Sequence, residues 1–171
     1  MKHYLETEAG IMIKKLLFMG LSGLLLIGCS GDPVVKDLSQ YVQQDLFNLE
    51  TNRRAAQSQY LSVKGDTEKK QVSIIKSKVT LQLEKYLKGL KDTKPKTTQV
   101  QELNKEGIQR VEKALDLVNA YRKTLMKRDS HQVPIARSEL DTAFREIEEW
   151  KNEVYLLARE KNISIPSERV K

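Results

Sequence analysis

Cys29 is the residue of this 171-residue chain whose type and setting most plainly promise covalent chemistry. It is the sole thiol, and it ends the run Leu26-Ile27-Gly28-Cys29. A basic pair, Lys14-Lys15, and an apolar stretch from Leu16 to Ile27 stand in front of it. Gly28 is small enough for a peptidase pocket, and Leu26 supplies an apolar recognition point. Other reactive groupings are sparse. His131 is the only histidine outside the leader, where His3 lies, and one His with one Cys does not make a zinc site. A di-iron or di-manganese helical bundle needs inward Glu-x-x-His pairs, and none is present. Ser-His-Asp catalysis would have to use His131. There is no GxSxG and no Gly-rich phosphate loop. His131 therefore reads as a solvated loop residue. The expectation is a non-enzyme with no catalytic residue, no metal and no diffusible cofactor.

The apolar run of 12 residues is short against the roughly 20 that a membrane-spanning helix needs. Behind lysines, it has the form of a signal-peptide apolar region. Leu26-Ile27-Gly28-Cys29 at its end resembles the lipobox of bacterial lipoproteins. The resemblance implies cleavage before Cys29 and a diacylglycerol thioether on its sulfur, with fatty acylation, such as palmitate, as the family's lipid chemistry. The plainer alternative is an unmodified, buried cysteine in an uncleaved helix. Two acyl chains, at about 0.8 kcal/mol per buried methylene, hold a protein firmly where one is marginal. Residues 1–11 do not fit a leader, because they carry Glu6 and Glu8; Met12-Ile13-Lys14-Lys15 is the expected start.

These readings divide the chain into a signal peptide (1–28), a lipidated cysteine with a short tether (29–32), a helical bundle (33–163) and a C-terminal tail (164–171). The whole sequence has a net charge of +7, and loss of three Lys and two Glu with the leader leaves +6. A basic domain of mixed sign suits an anionic lipid surface, teichoic acid or another wall polymer. Nucleic acid is not expected for an exported protein. With its one cysteine acylated, the domain has no disulfide. Eight Gly and four Pro are too few for an all-β fold.

Periodicity predicts four helices. Asp32-Pro33 reads as an N-cap followed by Pro at the first helical position. Val35, Leu38, Val42, Leu46, Leu49, Ala56, Tyr60 and Val63 then recur at helical spacing. Lys64-Gly65-Asp66 ends this helix, with Gly65 expected in a left-handed C-cap. A second helix, from about Thr67 to Leu90, carries Val72, Ile75, Val79, Leu83, Tyr86 and Leu90. Thr98 and Gln101 have capping-box spacing. The third stripe, Leu103, Gly107, Val111, Ala114, Val118, Tyr121 and Leu125, alternates threes and fours like heptad positions. Gly107 on that stripe predicts a close helix–helix approach. The fourth stripe is Ala136, Leu140, Ala143, Ile147, Trp150, Val154 and Leu157, stopped by Asn162 and Pro166. The fold class is all-α, an up-down-up-down four-helix bundle by default. A looser three-helix core, or a bundle completed by a second copy, are the alternatives.

Only Ser30, Gly31 and Asp32 separate Cys29 from the first helix, a tether of about 10 Å. In such a bundle the loop between the second and third helices and the C-terminus would share the membrane end. Lys88, Lys91, Lys94, Lys96, Arg169 and Lys171 would then form a membrane-proximal basic cluster, each worth around 1 kcal/mol against an anionic leaflet; ordinary solvated lysines are the blander reading. Asp45 and Arg53, eight residues apart, would share a face and form a polar layer inside the bundle, or else both point to solvent. Tyr41, Tyr60, Tyr86, Tyr121 and Tyr155 read as core tyrosines with hydroxyls at its edge, or as a cluster for a sugar or lipid tail. Trp150 is expected in the core.

The stretch Tyr41-Val42-Gln43-Gln44-Asp45-Leu46-Phe47-Asn48-Leu49-Glu50, and the later Tyr60-Leu61-Ser62-Val63-Lys64-Gly65, are similar to the opening helix of small helical lipoproteins of Gram-positive bacteria with no assigned activity. That resemblance implies no catalytic residues. It favours a lipid-anchored protein on the extracytoplasmic face of the cell membrane, although Ser30 is also compatible with outer-membrane sorting. The function expected is a protein-interaction module of the cell envelope. The alternative is a binder of an anionic wall polymer or lipid surface, or of a small apolar ligand between the helices.

Overall fold

The computed structural model describes residues 31–166, all of whose regular structure is helical. The signal-peptide and lipidation residues Leu26, Ile27, Gly28 and Cys29, with the tail residues Arg169 and Lys171, lie outside the described residues. Helix α1 spans 33–62 and helix α2 spans 68–92; each contains a π-helical segment, Tyr41–Leu46 in α1 and Ile75–Val79 in α2. Helix α3 is Thr98–Lys127 and helix α4 is Gln132–Glu160. No described helix is long and apolar enough to cross a membrane.

The N-terminus of α1 forms as its sequence demands. Pro33 opens it, and the Asp32 Oδ1 accepts the Val34 N–H at 2.9 Å. Two other expected caps are corrected. Gly65 does not take a left-handed conformation; α1 ends in ordinary turns, with the Asp66 N–H donating to the Val63 carbonyl at 3.0 Å. The left-handed positions are Arg128 (φ 53°) and Asn162 (φ 57°). Asn162 follows α4, and the next N–H, of buried Ile163, reaches back to the Ala158 carbonyl at 2.8 Å. That is the Schellman pattern with its apolar contact. The capping box at Thr98 and Gln101 is also not made. The Gln101 amide donates to the Pro95 carbonyl, and the start of α3 is capped from another helix, by Asp37 of α1.

The π segments have a visible cause. The buried positions Leu38, Val42, Leu46 and Glu50 of α1 fall at three successive steps of four, as do Gln71, Ile75, Val79 and Leu83 of α2. At about 100° per residue, three such steps turn an α-helix roughly 120° past its starting face. A π turn holds about one more residue, so a short π segment recovers most of that excess and keeps the stripe on the core side. In α2 the freed geometry is finished by Thr80, whose backbone N–H and side-chain hydroxyl both go to the Ile75 carbonyl. Helices α3 and α4 alternate fours and threes, save for the last step of α4 from Val154 to Ala158, and contain no π segment.

The core runs the length of the four helices and includes Trp150, Tyr41, Tyr60, Tyr86 and Tyr121. Two glycines let helices approach closely. A Cβ on Gly107 would lie 2.2 Å from the Trp150 ring, and one on Gly89 would lie 2.0 Å from a Leu49 methyl. The Trp150 Nε1 donates to the Leu103 carbonyl at 2.9 Å, which ties the indole to α3. Val72, Leu103 and Leu157, expected in the core, are only half-buried; Gln71, Asn104 and Ala158 take the buried places beside them.

Candidate functional site

Three polar layers cross the core, and they mark its two ends and its middle. At one end, the Asp37 Oδ2 accepts from the Lys96 N–H (2.9 Å), the Thr97 N–H (2.7 Å) and the Thr97 hydroxyl (2.7 Å). One turn further on, the Tyr41 hydroxyl donates to Asn104, whose amide donates to the Leu90 carbonyl. The Gln43 amide donates to the Ser164 carbonyl beyond α4. This end therefore gathers the start of α1, the loop between α2 and α3, and the segment after α4. Burial would by itself push the Asp37 carboxyl up, but its hydrogen bonds from Thr97 and Lys96 outweigh that and hold it below the ordinary aspartate range.

The opposite end is aromatic. The Tyr60 ring stacks on Phe144 at 5.2 Å and meets Tyr121 edge-on at 6.3 Å. The Tyr60 hydroxyl donates to Asp141, and that of Tyr121 donates to Gln71. The Arg137 Nε in turn donates to the Tyr121 oxygen. Leu61, Met126 and Ile135, at the adjoining helix termini, are 53%, 66% and 52% exposed.

Between the ends lies a buried ionic layer. Glu50, Arg53 and Lys151 are only 5%, 4% and 6% exposed. The Arg53 Nε donates to both Glu50 oxygens at 3.0 and 2.9 Å, and its Nη1 lies 2.6 Å from Glu148. Lys151 lies 2.7 Å from Glu148 and 3.4 Å from Glu50, and Arg54 adds a contact to Glu50 from the rim. Each charge faces an opposite one, as charges removed from water require. Burial pushes the Glu50 carboxyl up; the hydrogen bonds and charge of Arg53, then Lys151 and Arg54, outweigh it and hold it below the ordinary glutamate range. The layer joins α1 to α4, as do Tyr60 and Lys64 with Asp141 and Gln43 with Ser164.

Arg53 thus lies in a buried polar layer, but the carboxylate that meets it is Glu50 rather than Asp45. Asp45 is half-buried, with its carboxyl held above the ordinary range by burial and then by the charge of Asp37. The π segment explains the difference, since it turns Leu46 inward where Asp45 competes for the place. Glu50 lay one helical turn from both Leu46 and Arg53, and that spacing was the available signal; nothing in the sequence pointed to Lys151.

At the Asp37 end, Lys88 pairs with Asp92, and Lys91 lies 2.6 Å from Glu112. The ammonium groups of Lys94 and Lys96 form no direct ion pair among the described residues, although their charges act on Asp92 and Asp37. Lys36 and Lys161, which sequence reading missed, line a cleft of about 440 Å³ there. His131 is exposed just before α4. Among the described residues no cluster of His, Cys, Asp or Glu has the makings of a metal site. Compared with known proteins, the chain matches no family model, no curated protein and no solved structure at a significant level.

Proposed function

We propose that the chain is an envelope lipoprotein, anchored through lipid on Cys29 at the extracytoplasmic face of the cell membrane, and that its bundle is a non-enzymatic protein-interaction module. Its helices run up-down-up-down. That topology is supported by the two sets of end contacts: Asp37, Leu90, Asn104 and Ser164 share one end, and Tyr60, Gln71, Tyr121 and Arg137 the other. The observation that carries the functional reading is the polarity between those ends. The chain leaves its tether at the lysine-bearing end. Of the six large apolar side chains exposed among the described residues, Leu61, Met126 and Ile135 cluster at the other, about 45 Å away along the 30 residues of α3, while Phe47, Leu81 and Leu156 are spread along the helices. Lipid at one end and an apolar tip at the other present a binding surface to a partner standing off the membrane. Binding of an anionic wall polymer or lipid surface is the second reading, favoured by Lys94, Lys96, Lys36 and Lys161 at the tethered end.

The test is site-specific photo-cross-linking in cells. A photoreactive residue at Met126 or Ile135 is expected to give one discrete protein adduct, and one at exposed Gln109 on the side of α3 is not. Equal labelling from Gln109, or none from the tip in membrane-bound protein, would sink the module reading.

A further inference from the structure

We infer that the cleft between the start of α1 and the segment after α4 is a binding site for a phosphate group, in the form of a lipid headgroup or free phosphate. The cleft holds about 440 Å³ and is lined by Lys36, Ser39 and Gln43 on one side and by Lys161, Asn162 and Ser164 on the other.

Its lining carries two ammonium groups against one carboxylate. Lys36 and Lys161 have no carboxylate partner among the described residues. The one acid in the lining, Asp32, already accepts the Val34 N–H and so serves the α1 cap. Two ammonium groups flanking hydroxyl and amide donors match a phosphate, whose oxygens only accept hydrogen bonds when ionised. Val35 and Ile163 add an apolar wall, which suits the glycerol carbons of a headgroup better than water.

The cleft is also firmly built. Asn162 is set by its left-handed backbone and the Ile163-to-Ala158 hydrogen bond, and Gln43 is tied to the Ser164 carbonyl across it. The membrane source rests on the lipoprotein reading, because Gly31 lines the cleft and Cys29 precedes it by two residues. A headgroup of the anchoring leaflet would then be within reach, and its binding would set how the bundle stands on the surface.

The experiment is lysine footprinting of protein extracted from its own membranes and placed in vesicles. Vesicles of phosphatidylcholine are compared with vesicles containing phosphatidylglycerol, and with phosphatidylcholine vesicles in inorganic phosphate. Acylation of Lys36 and Lys161 is read by mass spectrometry against Lys94, Lys96 and the far-end Lys127. Slowing of Lys36 and Lys161 alone by about fivefold is expected, the factor 1 + [L]/Kd when ligand stands near four times its Kd. Slowing with phosphatidylglycerol assigns the site to headgroups, and slowing with inorganic phosphate assigns it to the free anion. Equal slowing of all the near-end lysines, or no slowing in either arm, overturns the site. The N-terminal peptide in the same digest reports separately whether Cys29 carries lipid. An unlipidated peptide would remove the lipoprotein reading and leave the phosphate arm decisive.

Discussion

The α1–α2 pair and the α3–α4 pair solve the same packing problem in different ways. In α3 and α4 the buried residues alternate fours and threes up to the last step of α4, close to the α-helical period, and the helices run without interruption. In α1 and α2 the buried residues pass through three successive fours, and each helix contains a π segment at that place. The pairs also differ in what their closest approaches rest on. Gly107 faces the hydrogen-bonded indole of Trp150, whereas Gly89 faces the end of half-buried Leu49. The seam that closes the bundle, α1 against α4, carries the buried charges. Regular spacing goes with uninterrupted helices, and irregular spacing is accommodated by backbone adjustment and polar ties.

The largest contrast should lie between the buried seam and a surface pair. Glu50→Ala leaves Arg53 and Lys151 buried with Glu148 as the remaining acid, and should cost about 3–5 kcal/mol. Glu146→Ala removes the Lys113 contact, whose side chains are 53% and 28% exposed, and should cost about 0–1 kcal/mol. Urea unfolding of the two variants compares them directly, and equal losses would show that the ionic layer carries no special weight.

The same layer has a pH signature. A carboxyl whose folded pKa lies below its unfolded value stabilises the fold above the unfolded value, and loses that contribution as pH falls through the folded one. Glu50 is such a group, so part of the acid destabilisation below the ordinary glutamate range belongs to it. Glu50→Gln should start less stable at neutral pH and show a shallower decline in urea midpoint toward acid.

The two glycines sharpen the contrast between the pairs. Gly107→Ala must displace a ring held by its own hydrogen bond, and should cost about 1–3 kcal/mol. Gly89→Ala meets a side-chain end that can swing outward, and the gain in helix propensity, about 1 kcal/mol, should offset most of that loss. Thermal melts of the two would separate these outcomes. A further modest effect is expected for Thr80→Val in the α2 π segment. It removes the hydroxyl bond to the Ile75 carbonyl and should cost about 1 kcal/mol, read by urea unfolding.

By itself, the sequence determined the four helices, the Asp32-Pro33 start, the stop at Asn162 and the close approach at Gly107. Each of these follows from the spacing of side chains along one helix or from the conformational preference of one residue. Tertiary structure decided who meets whom. Asp37 caps α3 in place of its own Thr98 and Gln101, Glu50 rather than Asp45 meets Arg53, and Lys151 completes the layer from α4. Periodicity gives the phase of a helix about its own axis. The partner across a seam depends also on the axial shift and rotation of the second helix, and those are set when all four stripes are buried at once. Even the π segments, whose steps of four stand in the sequence, became necessary only because the core holds Leu46 and Glu50 on the same face as Leu38.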